Sequence, residues 1–77
     1  MRRFGLLILL TLSLPATARA DFAGGMTAYE SGDYAGALKE WLPLAENDDL
    51  AAMRNVGQMY RLGLGVPKDA ATAAKWY

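Results

Sequence analysis

Residues 52–77 read A-M-R-N-V-G-Q-M-Y-R-L-G-L-G-V-P-K-D-A-A-T-A-A-K-W-Y, and this stretch decides the fold of the chain. Apolar side chains recur there at steps of three and four residues, the spacing of one helical face. We predict a helix over residues 50–62 with Asp48 or Asp49 as its N-cap, because an Asp oxygen accepts from the free amides of a first turn. Gly57 indicates that a neighbouring helix approaches closely there, since a mid-helix glycine costs about 1 kcal/mol relative to alanine. The predicted apolar face consists of Ala52, Met53, Val56, Met59 and Tyr60.

A glycine-rich turn follows this helix. Gly63 comes directly after the last apolar position, where helices commonly end on a left-handed residue. Gly65 offers a second position that accepts a positive φ without steric cost. The residue before Pro67 is biased towards an extended backbone, and Asp69 is then a plausible N-cap for a second helix. The stretch therefore predicts an antiparallel helical hairpin.

The spacing V-G-x-M-Y-x-x-G-x-G-V-x-x-D-x-x-x-A-x-x-W-Y resembles the Sel1-like repeat, a relative of the tetratricopeptide repeat. The resemblance covers the last 26 residues well and residues 22–49 loosely. It implies an all-α fold in which antiparallel helix pairs form an α-solenoid, and an adaptor or scaffold function. The residues that carry it are Val56, Gly57, Met59, Tyr60, Gly63, Gly65, Val66, Asp69, Ala73, Trp76 and Tyr77.

A second, weaker helical pair precedes this one. Tyr29 and Tyr60 are 31 residues apart, close to the period of about 34 that marks helix-pair solenoids. We predict a tetratricopeptide-like unit over residues 21–49 and a Sel1-like repeat, incomplete at its C-terminus, over residues 50–77. The chain then holds about one and a half units.

Within the first unit, residues 21–29 predict a short lead helix. Asp33 is placed to cap a second helix over residues 34–46, whose apolar face includes Trp41. Pro43 lacks an amide hydrogen and clashes with the preceding turn, so we expect a kink or a break just before it. We expect Asn47 to be the left-handed residue that closes this helix.

The first twenty residues are typical of a secretory signal peptide rather than of a folded domain. They contain a basic start, an apolar run at residues 4–14 and a small-x-small site ending at Ala20. We predict cleavage between Ala20 and Asp21, and a periplasmic or secreted location. The apolar run is too short for a spanning helix, which needs about twenty residues, so we expect no stable membrane insertion after cleavage.

Charge and composition limit the classes of function. The whole chain has a formal net charge of 0, from eight basic and eight acidic residues. Removing Arg2, Arg3 and Arg19 leaves five basic residues against eight acidic ones, a net charge of −3. That balance argues against a nucleic-acid partner, which requires clustered Lys and Arg. The chain has no cysteine, so packing rather than disulfides must stabilise the exported part.

Side chains that carry chemistry are scarce. The chain has neither His nor Cys, which removes the usual general bases, thiol nucleophiles and zinc ligands. Ser31 lies in a predicted turn without a base. Glu46, Asp48 and Asp49 lack the spacing of a calcium loop, and the turn at residues 63–65 follows a helix, unlike a phosphate loop. We expect no enzymatic activity, cofactor or metal.

Binding of another protein is the function that the resemblance to Sel1-like repeats implies. In a solenoid, the first helices of each pair line the concave side, so the candidate surface there is Arg54, Asn55, Gln58 and Arg61. We predict an exported, non-catalytic protein-protein interaction module, an adaptor or scaffold with an unidentified protein partner. The alternative is a docking segment of a larger secreted enzyme whose catalytic part lies beyond residue 77.

The shortness of the exported part suggests two further expectations. Residues 21–77 bury only a modest core, and repeat arrays usually need three or more units with a polar cap. Trp76 and Tyr77 are large aromatics rather than a polar cap. We expect a truncated piece of a longer repeat protein, or a short protein that self-associates.

Overall fold

The computed structural model describes residues 20–77. This part of the chain contains helices α1 (Phe22–Glu30), α2 (Tyr34–Glu46), α3 (Leu50–Leu62) and α4 (Ala70–Trp76), and no strand. The predicted all-α class is therefore confirmed for the described residues. The predicted signal peptide at residues 1–20 lies, apart from Ala20, outside them.

Each helix packs against the next one along the chain, and neighbours run antiparallel. The rings of Phe22 and Trp41 are 5.6 Å apart at one end of the α1–α2 pair, and those of Tyr29 and Tyr34 are 5.1 Å apart at the other. The connections α1–α2 and α2–α3 have three residues each and require this direction, because three residues cannot cross the length of a helix. In the α3–α4 pair, whose connection is longer, Asp69 lies at Tyr60 and Trp76 lies near Gly57, so these helices also run antiparallel. The result is two helical hairpins, α1–α2 and α3–α4, joined through the contact of α2 with α3.

An aspartate caps the N-terminus of every helix among residues 20–77. The Asp33 carboxylate accepts from the Gly36 amide at 2.9 Å, and that of Asp49 accepts from Ala52 at 3.0 Å. The corresponding caps of α1 and α4 are Asp21 and Asp69. The predicted caps Asp33 and Asp69 are confirmed, Asp49 rather than Asp48 caps α3, and the structure adds Asp21.

Left-handed residues end the first three helices. Gly32, Asp48 and Gly63 have φ angles of 86°, 68° and 74°. In each case the next amide reaches back five residues, which satisfies a carbonyl of the last helical turn in the Schellman manner. These bonds are Asp33 to Ala28 at 2.8 Å, Asp49 to Leu44 at 3.0 Å and Leu64 to Met59 at 2.9 Å.

The end of α2 corrects two predictions. Asn47 is not left-handed, with φ −101°; the position falls on Asp48 instead. Asn47 remains near the helical region, and its side-chain amide donates to the Pro43 carbonyl at 3.2 Å. Of the expected kink or break at Pro43, the break is wrong, because α2 continues through this residue. Pro43 and Lys39 are both exposed, so water can reach the Lys39 carbonyl that has lost its helical partner.

The core lies between α2 and α3, and Trp41 is its largest member. Its side chain is 1% exposed, and Nε1 donates to the Phe22 carbonyl at 3.1 Å. Gly25 makes room for the indole, since a β-carbon there would lie 2.6 Å from Trp41 Cδ1. The buried core residues around this contact are Ala37, Trp41, Ala45, Ala52, Val56 and Met59.

Two glycines position the second hairpin. A β-carbon at Gly57 would lie 3.2 Å from the Ala73 carbonyl oxygen, so α4 approaches α3 closely there, as the sequence predicts. Gly65, with φ 75°, lies on the start of α2, where a β-carbon would be 2.9 Å from the Tyr34 carbonyl carbon. The Asp69 amide donates to the Tyr60 carbonyl at 2.8 Å. The turn is therefore fixed to both hairpins.

Candidate functional site

The four polar residues predicted to form one surface lie on two different sides of α3. Successive helical residues are separated by about 100°, so neighbours on the sequence face different helices. Asn55 and Gln58 face the side on which α1 lies. Arg54 and Arg61 lie towards α4. The structure thus brings Asn55 and Gln58 together in one cleft, whereas Arg54 lines a second cleft and Arg61 donates to Tyr77.

The first cleft lies between α1 and α3 and has a volume of about 190 Å³. Trp41 and Met59, both almost fully buried, form its floor. Met26 and Tyr29 belong to α1 and are half-buried, and the amides of Asn55 and Gln58 line the opposite side. We call this set of six residues the α1–α3 cleft. It combines an apolar floor with two side chains that each donate and accept hydrogen bonds.

The second cleft lies at the start of α3 and the end of α4, with a volume of about 280 Å³. Its lining is mostly apolar: Leu50, Met53, Arg54, Trp76 and Tyr77. Arg61 donates from Nε to the Tyr77 hydroxyl at 3.3 Å, which holds that ring against α3. We call the five lining residues the α3–α4 patch.

The aromatic side chains differ in burial. Trp41 lies in the core, as the helical spacing predicts. Tyr60 and Trp76 are half-buried and pack against the edge of the core. Tyr77, which follows α4 directly, is 59% exposed. Aromatic surface is therefore available at the α3–α4 patch and, through Tyr29, at the α1–α3 cleft.

Sequence reasoning missed the contribution of α1 to the first cleft. Met26 and Tyr29 lie in the predicted lead helix, and both retain exposed surface in the cleft. Their three-residue spacing places them on one face, and that signal was present. The sequence pattern does not give the distance between α1 and α3. That distance leaves Met26 and Tyr29 only half-buried.

The charges divide by hairpin. Residues 21–49 contain seven acidic residues and one basic residue, a net charge of −6. Residues 50–77 contain one acidic and four basic residues, a net charge of +3. The single acid of the second hairpin is the cap Asp69. Hydrogen bonds from the Thr72 hydroxyl, first of all, and from the Thr72 and Ala71 amides lower the pKa of its carboxyl.

Within residues 20–77, no three His, Cys, Asp or Glu side chains lie close enough together to hold a metal ion. The same residues include no helix with the length and apolar character needed to cross a membrane. Comparisons of the chain with protein-family models, curated proteins and solved structures found no match.

Proposed function

We propose that this chain is an exported, non-catalytic protein-interaction module whose α1–α3 cleft binds an extended segment of a partner protein. The observation that carries the proposal is the composition of the cleft, an apolar floor of Trp41 and Met59 beside the amides of Asn55 and Gln58. The signal-type N-terminus supports a periplasmic or secreted location.

The floor and the two amides have separate roles in this proposal. A cleft of about 190 Å³ has room for one large apolar side chain, which would contact Met26, Tyr29 and Met59. Asn55 and Gln58 each carry an N–H donor and a carbonyl acceptor, the pair of groups that a peptide bond also presents. A bound segment with an extended backbone could hydrogen-bond both amides while one side chain fills the floor. Aromatic and Met side chains are the types that interfaces favour.

We also propose that the two hairpins belong to an α-solenoid of Sel1-like repeats. It is supported by the close α3–α4 approach at Gly57 and by the left-handed glycines at positions 63 and 65. It is also supported by the order of packing, in which each helix contacts the next one along the chain. In this architecture α1 and α3 are the first helices of successive pairs, so the α1–α3 cleft lies on the concave side.

The test is a selection of random peptides on the exported chain, followed by titration of the selected peptides. We expect binders with an apolar anchor residue, and a loss of affinity of about tenfold or more in the double variant Asn55→Ala/Gln58→Ala. Two net hydrogen bonds at about 1 kcal/mol each predict that loss. Lys68→Ala, in the exposed turn, is the matched control and should bind as the parent chain does.

Two outcomes would overturn the proposal. One is a selection that yields no peptide sensitive to the double variant. The other is equal binding by the parent chain and the double variant while circular dichroism shows the same helical content in both. Gln58 is exposed and Asn55 is half-buried at the cleft, so neither substitution removes core packing.

A further inference from the structure

The α3–α4 patch exposes apolar surface that the cleft function does not use. Leu50 is 78% exposed and Tyr77 is 59% exposed, and they line one cleft with Met53 and Trp76. An exposed leucine alone needs no explanation, whereas a contiguous patch of four apolar or aromatic side chains marks an interaction site. Arg54 lines the same cleft, so the patch is apolar with a basic edge.

The first hairpin of the chain carries charge of the opposite sign, and one of its acids, Glu30, lies on an exposed face of α1. The α1–α2 hairpin has a net charge of −6, and the α3–α4 hairpin has a net charge of +3. On α1, the exposed residues Ala23, Thr27 and Glu30 form one stripe at helical spacing. Two of the three side chains are small, so another helix can approach this stripe closely. Glu30 places a carboxylate at its end.

We propose that the α3–α4 patch binds the α1 stripe of a second copy of this chain, head to tail. Leu50 and Tyr77 would cover the small residues of the stripe, and Arg54 would approach Glu30. A two-fold symmetric contact between two α3–α4 patches would instead bring together two surfaces that each carry Arg54 and no acidic residue, and like charges disfavour that arrangement. A head-to-tail contact leaves one free patch and one free stripe, so assembly continues beyond two copies.

This inference is independent of the proposed function. The α1–α3 cleft is lined by Met26, Tyr29, Asn55 and Gln58, none of which belongs to the patch or the stripe. Peptide binding at the cleft and self-association can therefore fail separately.

The first experiment measures the mass of the exported chain by sedimentation equilibrium across a wide concentration range. We expect an average mass that rises with concentration and passes that of a dimer. We also expect weaker association at high salt, because the Debye length falls from about 30 Å at 0.01 M to about 3 Å at 1 M. A chain that stays monomeric, or that stops at a dimer, would overturn the head-to-tail proposal, and a monomer would leave the patch to a different partner.

The second experiment exchanges the charges. Arg54→Glu and Glu30→Arg should each weaken self-association about fivefold to tenfold, because each puts like charges in contact. Mixing the two variants should restore association, since each patch then meets a stripe of opposite charge. Lys68→Glu changes the net charge as much as Arg54→Glu, but in the turn at the other end of α3, and should have little effect. A mixture that remains as weak as the separate variants would contradict the pairing.

A third experiment tests the contribution of apolar contacts to self-association. Leu50→Ser removes an exposed side chain without touching the core, so the helices should keep their thermal stability. We expect self-association to fall about tenfold, the effect of losing much of a buried leucine side chain. Unchanged association in this variant would show that the patch is not the contact surface.

Discussion

The backbone nitrogen of Asp21 lies 2.9 Å from the carboxylate of Glu40, in the middle of α2. This bond ties the first residue after the predicted cleavage site to the second helix. If cleavage takes place between Ala20 and Asp21, the nitrogen becomes a positively charged α-amino group, and the hydrogen bond becomes an ion pair. Processing would then stabilise the α1–α2 hairpin.

The first prediction tests this pair. In the chain that starts at Asp21, Glu40→Gln should lower the free energy of unfolding by about 0.5 kcal/mol, in the range of partly exposed ion pairs. Urea unfolding measures the change, and N-terminal sequencing checks the start. In a chain acetylated at Asp21 the same substitution should have a smaller effect, because the amino group is no longer charged. Equal losses in both forms would contradict the ion pair; Glu46→Gln, in the exposed last turn of α2, serves as control.

The second prediction uses two adjacent glycines of α1. Gly25→Ala should destabilise the protein by about 2 kcal/mol, because the added methyl group overlaps the indole of Trp41, which is held by its bond to Phe22. Gly24→Ala should be neutral or stabilise by up to about 1 kcal/mol, since alanine favours helix and the nearest atom is the adjustable Asp21 carboxylate, 3.3 Å away. Thermal melting of both variants checks the difference. Similar melting temperatures would show that Trp41 can move aside.

The third prediction concerns the correction at the end of α2. Asp48 has φ 68°. This left-handed conformation is unfavourable for residues with a β-carbon, whereas glycine adopts it without steric cost. Asp48→Gly should therefore raise the free energy of unfolding by about 0.5 to 1 kcal/mol. Asn47→Gly should lower it, because Asn47 has φ −101° and its side chain donates to the Pro43 carbonyl. The opposite order of the two variants would place the left-handed residue at Asn47.

The local features of the second hairpin could be predicted from the sequence. Asp69 is flanked by a proline turn and an alanine-rich helix, so a cap was the simplest interpretation of that residue. Gly63 and Gly65 have positive φ angles, as a turn of this composition requires. Each of these features depends on a few neighbouring residues, which a pattern contains.

Features that depend on distant parts of the chain could not be predicted in the same way. Whether α2 closes on Asn47 or Asp48 depends on where α3 must begin to place Ala52 in the core. Arg54 and Asn55 line different clefts because α4 packs on one side of α3 and α1 lies on the other. A helical pattern identifies the buried face, but it does not say which helix covers each flank of that face.

The last prediction concerns acid stability and the cap of α4. The Thr72 hydroxyl donates to Asp69 Oδ2 at 2.7 Å, and this bond is the main reason why the pKa of the Asp69 carboxyl lies below its ordinary value of 3.8. The Thr72 and Ala71 amides act in the same direction. A carboxyl whose pKa is lower in the folded than in the unfolded chain stabilises the fold above the ordinary value. That stabilisation is lost as the pH falls through the lowered pKa.

Thr72→Val removes the hydroxyl donor and keeps the branched shape of the side chain. We expect the Asp69 pKa to rise towards 3.8, and the fall in melting temperature between about pH 5 and pH 2 to become shallower. Carbon-detected NMR titration of Asp69 measures the first effect, and thermal melting at each pH measures the second. Thr27→Val is the matched control, because the Thr27 hydroxyl donates to the Ala23 carbonyl rather than to a carboxylate. If the two variants showed the same acid profile, the Thr72 hydroxyl would not be what sets the Asp69 pKa.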